Sequence, residues 1–373
     1  MGKKIVVLLL VASMFFMLVG CNESKKKTHY TRDHKEPEKT MLAIQSGDIR
    51  NYEQLTKSLE DIIRSGIKSD ILTVVNYDGV LVEDLERVTD YLINQFPLGV
   101  FSVASIVYKP NFIASYCELE VIVSYSRTYS EISNIVPITD KDDLYNRMGV
   151  MIEIQDFNNS YEIYALKLDA DMLTRAFDKQ WANSGVNAYG IKDINFGFYP
   201  AEYWDRYILD VEFSYTDRML SILDRVNETK SKAESIAASC NVSTFDGKIN
   251  FVLDYLNSVV VYDSQASRVI EETDGRQAKT AIYTATGALL EDRAAQSGIA
   301  IAASVLLEEL GIENTVICGR ENDMPYYWIY IESNEQTMHF DPCAVYVDRD
   351  GCFLTQSQAK NRFTWDNELY DVE

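Results

Sequence analysis

Two segments of the chain, 90 residues apart, share one pattern of alternating apolar and polar residues. The segments are KPNFIASYCELEVIVSY (Lys109–Tyr125) and YPAEYWDRYILDVEFSY (Tyr199–Tyr215). At this constant offset the following residues are identical: Pro110 and Pro200, Leu119 and Leu209, Val121 and Val211, and Ser124-Tyr125 and Ser214-Tyr215. Alternation with a period of two is typical of a strand with one buried face. The matching segments therefore predict an internal duplication.

Each of these segments is preceded by a helical pattern and, before that, by an apolar run. Helical patterns occur at Val82–Phe96 and Ala170–Gly185, and apolar runs that favour earlier strands occur at Ile71–Gly79 and Gly149–Phe157. Each unit is thus predicted to contain a strand, a helix and a two-stranded hairpin. We assign the units to two tandem α+β repeats, residues 41–140 and 141–239. The paired tyrosines of the hairpins suit either a surface that faces a partner or ordinary core and rim positions.

The chain begins with the pattern of an export signal. Lys3 and Lys4 precede an apolar run of 16 residues (5–20), which is short for a membrane-spanning helix but suits a secretory signal. The run ends in LVGC (Leu18–Cys21), which resembles the lipobox of bacterial lipoproteins. The resemblance implies that residues 1–21 are a signal peptide and that Cys21 carries lipid, with an uncleaved anchor as the alternative.

A lipidated Cys21 would anchor the protein to the membrane through its acyl chains, on the extracellular face of the cytoplasmic membrane. Residues 22–40 are polar and charged, with almost no apolar side chains. Such a composition cannot build a core, so these residues are predicted to form a flexible linker.

Composition narrows the classes of function. The chain is 47% hydrophobic and carries a formal net charge of −22, so it is expected to build real cores but to repel phosphate backbones, and no nucleic-acid partner is expected. Five cysteines remain beyond Cys21, no CxxC pair occurs, and there are three histidines. We therefore expect neither a metal site nor a cofactor. An odd number of cysteines precludes complete intramolecular pairing, although a Cys343–Cys352 bridge stays open.

Residues 240–373 show a different order of elements. An amphipathic helix is predicted within Ser243–Ser264, and a second helix, rich in Ala and Leu, within Glu291–Ile312. Three strands are predicted after it, at Asn314–Arg320, Pro325–Glu332 and Gln336–Pro342. Helix, loop, helix and then antiparallel strands is the order of a papain-like core. The fold class predicted for the whole chain is α+β.

Short motifs in this last domain resemble those of bacterial transglutaminase-like domains, which are related to papain-type cysteine proteases. The motifs are Tyr262-Asp263, Gly287-Ala288-Leu289, Gly298-Ile299-Ala300, Leu310-Gly311-Ile312, Val316-Ile317-Cys318-Gly319, Trp328 and Phe340-Asp341. The chemistry of the family requires a thiolate nucleophile, an imidazole base and a carboxylate that orients the imidazole. The resemblance places Gln296 at the nucleophile position, Tyr326 at the base position and Asp341 at the acid position.

Two of these three positions hold residues unsuited to the reaction. A glutamine side chain cannot form an acyl-enzyme, and a tyrosine, whose ordinary pKa is near 10, is a poor base at neutral pH. We therefore expect a catalytically inactive domain that acts in binding or scaffolding at the cell envelope, with an envelope protein or peptide as its ligand. The candidates for lining its cleft are Ser297, Tyr327 and Trp328.

Two other functions stay open. An active envelope peptidase or acyltransferase would need a relocated nucleophile, such as Cys318, Cys343 or Ser297, and His339 is the candidate base. Cys318 suits a small buried hydrophobe at least as well, and residues on one strand cannot reach across a cleft as a helix and a strand can. The third hypothesis is an extracellular solute-binding lipoprotein, although the chain lacks the long βαβ alternation of such receptors.

Overall fold

A computed structural model describes residues 47–202, 205–332, 337–347 and 351–372. The predicted signal peptide (1–21), its Cys21 and the predicted linker (22–40) lie outside the described residues. Helices and strands alternate along the described chain, and the strands form separate sheets with mainly antiparallel pairing, which confirms the α+β class.

The first unit pairs a three-stranded sheet with two long helices. Its elements are α1 (Tyr52–Arg64), β1 (Ser69–Val74), α2 (Leu81–Asn94), α3 (Pro97–Ser102), β2 (Val103–Ile113) and β3 (Tyr116–Tyr125), followed by α4 (Tyr129–Ser133). The sheet has the order β1-β3-β2 with antiparallel pairing. Alternate residues of β3 are buried, and they share one apolar core with Leu55 and Leu59 of α1 and Val88 of α2. One face of the sheet is therefore covered by helices.

The second unit repeats this arrangement. Its elements are β4 (Val136–Ile138), α5 (Lys141–Glu153), β5 (Asn158–Tyr164), α6 (Ala170–Asn183), β6 (Ile191–Tyr199) and β7 (Arg206–Tyr215). The sheet has the order β4-β5-β7-β6, in which β4 and β5 are parallel and the other pairs are antiparallel. The strands β5, β7 and β6 thus correspond to β1, β3 and β2 of the first unit.

The two units agree in register as well as in order. Leu72 pairs with Leu119 in the first sheet, and Tyr161 pairs with Leu209 in the second. Both hairpins contain a register shift at the start of the earlier strand. The chain thus folds one αβαββ pattern twice.

The structure corrects one predicted strand. Gly149–Phe157 was predicted to be extended, but α5 continues to Glu153 and β5 begins only at Asn158. The buried residues of α5 include Leu144, Met148, Met151 and Ile152, a spacing of a helical face that a shorter window hides. The Asp140 side chain caps this helix by accepting a hydrogen bond from the Asp142 amide at 2.8 Å, which satisfies one of its free N–H groups.

The remaining residues form a helical layer and a third large sheet. The helices and short strands before the sheet are α7 (Met219–Ala238), α8 (Phe245–Val259), β8 (Val261–Tyr262), α9 (Ser264–Glu272), α10 (Ala285–Leu290), β9 (Arg293–Ala294) and α11 (Gln296–Glu309). The elements of the sheet region are β10 (Asn314–Glu321), β11 (Met324–Glu332), β12 (Thr337–Phe340), β13 (Phe353–Leu354), α12 (Gln356–Arg362) and β14 (Phe363–Thr364). The sheet order is β13-β12-β11-β10-β14, antiparallel throughout.

Helix α11 lies in the interior of the molecule. Its residues from Gln296 to Leu307 are all buried, and they share one apolar core with α5, α6, β7 and one face of the third sheet. The other face of that sheet carries a separate aromatic cluster that includes Tyr326, Trp328 and Phe363. The core therefore runs across the predicted boundary at residues 239–240, and the division into domains stays a prediction.

Candidate functional site

The start of α11 occupies the place where the sequence predicted a vacant nucleophile position. Gln296 is the first residue of the helix, and its backbone amide donates a hydrogen bond to Ser267 Oγ at 3.0 Å. The Gln296 side chain is buried, and its Nε2 has no hydrogen-bond partner among the described residues. A glutamine therefore fills this position without offering a nucleophile.

Two glycines allow the loop before α11 to pack tightly against it. A Cβ atom on Gly287 would lie 2.5 Å from the carbonyl oxygen of Ala281, and one on Gly298 would lie 2.8 Å from that of Ile282. Ser297 adds a hydrogen bond from its Oγ to the Tyr283 carbonyl oxygen at 3.0 Å. These glycines belong to the Gly-Ala-Leu and Gly-Ile-Ala motifs, whose role here is close packing.

The predicted base and acid positions meet directly. The Tyr326 hydroxyl, on β11, donates a hydrogen bond to Asp341 Oδ2 at 3.0 Å. Arg362, the last residue of α12, places Nη2 2.5 Å from the same oxygen, and the Cys343 amide donates to Asp341 Oδ1 at 3.0 Å. Asp341 is fully buried. Both of its oxygens are therefore engaged, one by a phenol and a guanidinium and the other by a backbone N–H.

The electrostatics of this cluster favour a fixed structure. Burial raises the pKa of Asp341, while the Arg362 guanidinium, the Cys343 amide and the Tyr326 hydroxyl act in the opposite direction. Arg362 also donates to Glu321 Oε1 at 2.7 Å, and the Tyr326 ring stacks on Phe363. The paired guanidinium and the three hydrogen bonds hold Asp341 in one geometry, and a tyrosine hydroxyl occupies the place where a catalytic imidazole would donate.

Gln296 reaches this cluster through one residue. The Cys343 thiol donates a hydrogen bond to the Gln296 carbonyl oxygen at 3.4 Å, and the Cys343 amide contacts Asp341 as described above. Gln296, Asp341 and Tyr326 are thereby linked in one buried chain of contacts. The link runs through Asp341 and Cys343, because the Tyr326 side chain belongs to the aromatic cluster on the face of the sheet opposite α11.

The candidate relocated nucleophiles are poorly placed for catalysis. Burial raises the pKa of the Cys318 thiol far above its ordinary value, and its Sγ donates to the Asp178 carbonyl oxygen at 3.3 Å. Cys343 is almost completely buried. Neither thiol meets the requirement of an accessible thiolate. Cys343 and Cys352 are both free thiols.

His339 faces away from the helix start. Its Nδ1 accepts a hydrogen bond from Trp328 Nε1 at 2.9 Å, so its Nε2 carries the proton and donates to Gln356 Oε1. Burial lowers the pKa of His339. Both ring nitrogens are thus engaged within the aromatic cluster, whereas Cys343 contacts α11.

The three candidate cleft residues differ in their surroundings. Ser297 and Trp328 are fully buried and do not reach the surface, and Trp328 stacks on Phe363 with ring centroids 4.2 Å apart. Tyr327 borders a cavity of about 270 Å³ between α6, β10 and β11. The cavity is also lined by Arg175, Asp178, Cys318, Arg320 and Trp365.

A smaller cavity of about 120 Å³ adjoins this one, and Asp178 and Gly275 line both. Gln277 lines the smaller cavity; it is 7% exposed, and its Nε2 has no hydrogen-bond partner among the described residues. Buried Lys279 lies beside it, with Nζ 3.7 Å from Asp178 Oδ1 and 4.1 Å from the Trp181 ring centroid. A buried amide N–H group without a partner is costly unless a water or a ligand accepts its hydrogen bond.

Sequence reasoning missed Arg362, Ser267 and Gln277. Arg362 belongs to a short helix outside every motif, and its role depends on how α12 folds back onto the end of β12. The stretch QAKNR carries two basic residues in the last turn of that helix, which is ordinary helix chemistry and gave no signal of a buried ion pair.

Comparisons with known proteins give one weak structural similarity. No family model matches the sequence, and no curated protein shows significant similarity to it. One solved structure, described as the crystal structure of a TGase, is similar at a TM-score of 0.29 with 10% sequence identity. The match spans 65% of this chain and 65% of that structure's chain.

Two further properties concern the described residues alone. Among the described residues, no helix is both long enough and apolar enough to cross a bilayer. Within the same residues, no cluster of three His, Cys, Asp or Glu side chains is arranged to hold a metal ion.

Proposed function

We propose that this chain is a lipid-anchored binding protein whose C-terminal domain is a transglutaminase-like domain without catalytic activity. The observation that carries the proposal is the Tyr326–Asp341 hydrogen bond, together with Gln296 at the start of the buried helix. A tyrosine here takes the place of an imidazole beside the orienting carboxylate. Arg362 donates a further hydrogen bond to the same oxygen, so the former acid–base pair becomes a structural cluster.

The proposal includes Cys21 as the lipidated residue and the extracellular face of the cytoplasmic membrane as the location. Its support is the apolar segment that ends in LVGC. A metabolic label with an alkyne fatty acid tests it. Label in the wild type and none in Cys21→Ala is the expected result, and equal labelling of both would contradict it.

The absence of catalysis is tested on the whole protein. Purified protein is incubated with a fluorescent primary amine and a glutamine-containing acceptor protein, and separately with peptide and ester substrates. We expect no turnover above that of Asp341→Asn. Turnover that disappears in Cys318→Ala or Cys343→Ala would overturn the proposal in favour of a relocated nucleophile.

The transglutaminase-like geometry is tested by restoring the chemistry. Gln296→Cys places a thiol at the start of α11, and Tyr326→His adds an imidazole beside Asp341. We expect the thiol of the double variant to be alkylated by iodoacetamide at pH 7 at about the same rate as that of Gln296→Cys alone, because Tyr326 lies in the aromatic cluster on the face of the sheet opposite α11. A rate at least 10-fold higher would show that an imidazole at position 326 reaches position 296 and favours the thiolate.

A second function, binding of a small solute, is favoured by Gln277 at the smaller cavity, whose side-chain Nε2 has no hydrogen-bond partner among the described residues. A ligand acceptor atom at this position would satisfy the amide. A panel of amino acids, short peptides and sugars is screened by thermal unfolding. A ligand that raises the unfolding midpoint of the wild type but not that of Gln277→Leu supports solute binding, and a panel without such a ligand counts against it.

A further inference from the structure

The outer faces of the two repeat sheets differ in whether another part of the molecule covers them. The outer face is defined as the face turned away from α1 and α2 in the first unit, and from α5 and α6 in the second. In the second unit this face is covered by the first unit, since α3 packs against β6 and β7. The molecule therefore shows what a covered outer face of this repeat looks like.

An apolar contact and two ion pairs cover the second sheet. Ile208 is fully buried and belongs to the core of the first unit, and the Tyr199 ring meets Phe101 edge-on with centroids 5.3 Å apart. Arg127 Nη2 lies 3.2 Å from Asp210 Oδ2, and its guanidinium lies over the Phe101 ring. A second arginine, Arg64, lies 3.8 Å from Glu162. The covering surface thus offers aromatic and arginine side chains at helix ends.

The corresponding face of the first sheet is open. By register, Glu118 corresponds to Ile208, Glu120 to Asp210 and Ile71 to Ser160. Ile71 is 61% exposed, and Val107, paired with Ile122 across the sheet, is 49% exposed. Glu120 meets Lys109 in an exposed ion pair. We name the surface formed by Ile71, Val107, Glu118, Glu120 and Ile122 the open face.

Charge and geometry together select the kind of partner. A second copy of the chain carries a net charge of −22, which opposes self-association through an acidic surface. In addition, Phe101 and Arg127, the side chains that cover the second sheet, are buried or nearly buried within each copy. A different protein with a basic, helical surface satisfies both constraints.

We propose that the open face binds a partner protein that presents an arginine or lysine and an apolar side chain from the end of a helix. The basic group would pair with Glu118 or Glu120, and the apolar side chain would cover Ile71 and Val107. These contacts would resemble those by which the first unit covers the outer face of the second sheet. The inference gives a partner to the proposed binding function and is independent of whether the C-terminal domain has catalytic activity.

The test uses the full-length protein in cells that produce and lipidate it. A photo-crosslinking amino acid replaces Ile71 or Val107, and a control replaces Leu220, which is 76% exposed on α7. We expect one discrete adduct from each open-face position and none from Leu220. Mass spectrometry should place the linked residue on a helix within two turns of an arginine or lysine.

A charge reversal supplies the second arm. Glu118→Lys/Glu120→Lys should lower the adduct yield at least 10-fold, whereas Glu153→Lys/Glu234→Lys, at exposed helix positions, should leave it unchanged. An adduct that is insensitive to the first reversal, or one that forms equally at Leu220, would overturn the proposal. So would a link to a second copy, or to residues 22–46 of the same chain. Loss of the adduct leaves the turnover test untouched, so the two proposals fail separately.

Discussion

The two repeat units place the same backbone in different surroundings. Each has a sheet covered by helices on one face, and the strands pair in the same register. Ile208 on the outer face of the second sheet is fully buried, whereas Glu118, its counterpart on the first, lies at an open surface. The two units therefore share one backbone fold, and they differ in the outer-face residues that determine whether another part of the molecule packs there.

The units also differ at one backbone position after their first helix. Gly66 has φ of +63° and Gln155 has φ of +53° at the equivalent place. A left-handed conformation costs a glycine little but costs other residues about 1 kcal/mol or more. The second unit thus keeps the left-handed conformation at this position, although Gln155 is strained in it.

The largest difference between the units should appear at Ile208. Ile208→Ala is expected to lower the free energy of unfolding by about 2–4 kcal/mol, because it removes buried methyl groups and leaves a cavity between the units. The counterpart, Glu118→Ala, should change it by less than about 0.5 kcal/mol. Urea unfolding followed by circular dichroism measures both. Similar losses would show that the outer faces are equally buried.

The next effect concerns the ion pairs on the two outer faces. Arg127→Ala is expected to cost about 2 kcal/mol, between the values typical of exposed and of buried pairs, since both partners are mostly buried. Lys109→Ala should cost less than about 1 kcal/mol because the Lys109–Glu120 pair is exposed and screened by salt. Double-mutant cycles of Arg127 with Asp210 and of Lys109 with Glu120, run at low and high salt, measure the two couplings. Equal coupling in both pairs would contradict the comparison.

The third comparison concerns substitutions at the left-handed positions, Gly66 in the first unit and Gln155 in the second. Gly66→Ala is expected to destabilise the protein by about 1–2 kcal/mol, since the new Cβ is also placed 2.7 Å from Tyr129 Cδ2. Gln155→Gly is expected to stabilise it by up to about 1 kcal/mol. It relieves the same strain and removes a buried amide whose Oε1 and Nε2 have no partners among the described residues.

Thermal and urea unfolding of the two variants measure these opposite changes in stability. Gly47→Ala serves as a control for the added Cβ, since Gly47 has no atom within 4 Å of it. A loss of stability in Gln155→Gly would show that packing of the glutamine outweighs the strain.

Much of the repeat could be predicted from the sequence, and the reason lies in its period. The alternating residues of β3 and β7 reveal the hairpins, because a face buried at every second position leaves a regular pattern. The strand proposed at Gly149–Phe157 was wrong since the end of an amphipathic helix looks like an apolar run in a short window. Helix α1 went unpredicted, although Leu55, Leu59 and Ile62 carry its spacing.

The candidate site was predictable only where motifs fixed it. Tyr326 and Asp341 were selected by motif position, and the structure places them in hydrogen-bond contact. Arg362 and Cys343 complete the cluster through folding of the chain after β12, which no local pattern encodes. Sequence patterns indicate which face of an element is buried, but not which distant side chain will meet a buried charge.

The smallest expected effect tests whether the units are equivalent in detail. Tyr125 donates a hydrogen bond to the Ile67 carbonyl oxygen at 2.9 Å, and Tyr215 donates one to that of Asp156 at 2.9 Å. Tyr125→Phe and Tyr215→Phe should each cost about 1 kcal/mol, because each leaves a carbonyl without this donor. The paired tyrosines therefore act within their own units, and unequal losses would show that one of them has a further role.

The same tyrosines should respond alike to alkaline pH. Burial raises the pKa of both phenols, so the protonated form is favoured in the folded state. Their contribution to stability is fully present below the ordinary tyrosine pKa near 10 and is lost as pH rises toward the higher folded values. Tyrosinate absorbance, recorded for the wild type and each Phe variant, should show no loss of signal at pH 10.5 in either variant. A loss confined to one variant would mean that its phenol is accessible, and that the two units differ in the loop between the first helix and the following strand as well as on their outer faces.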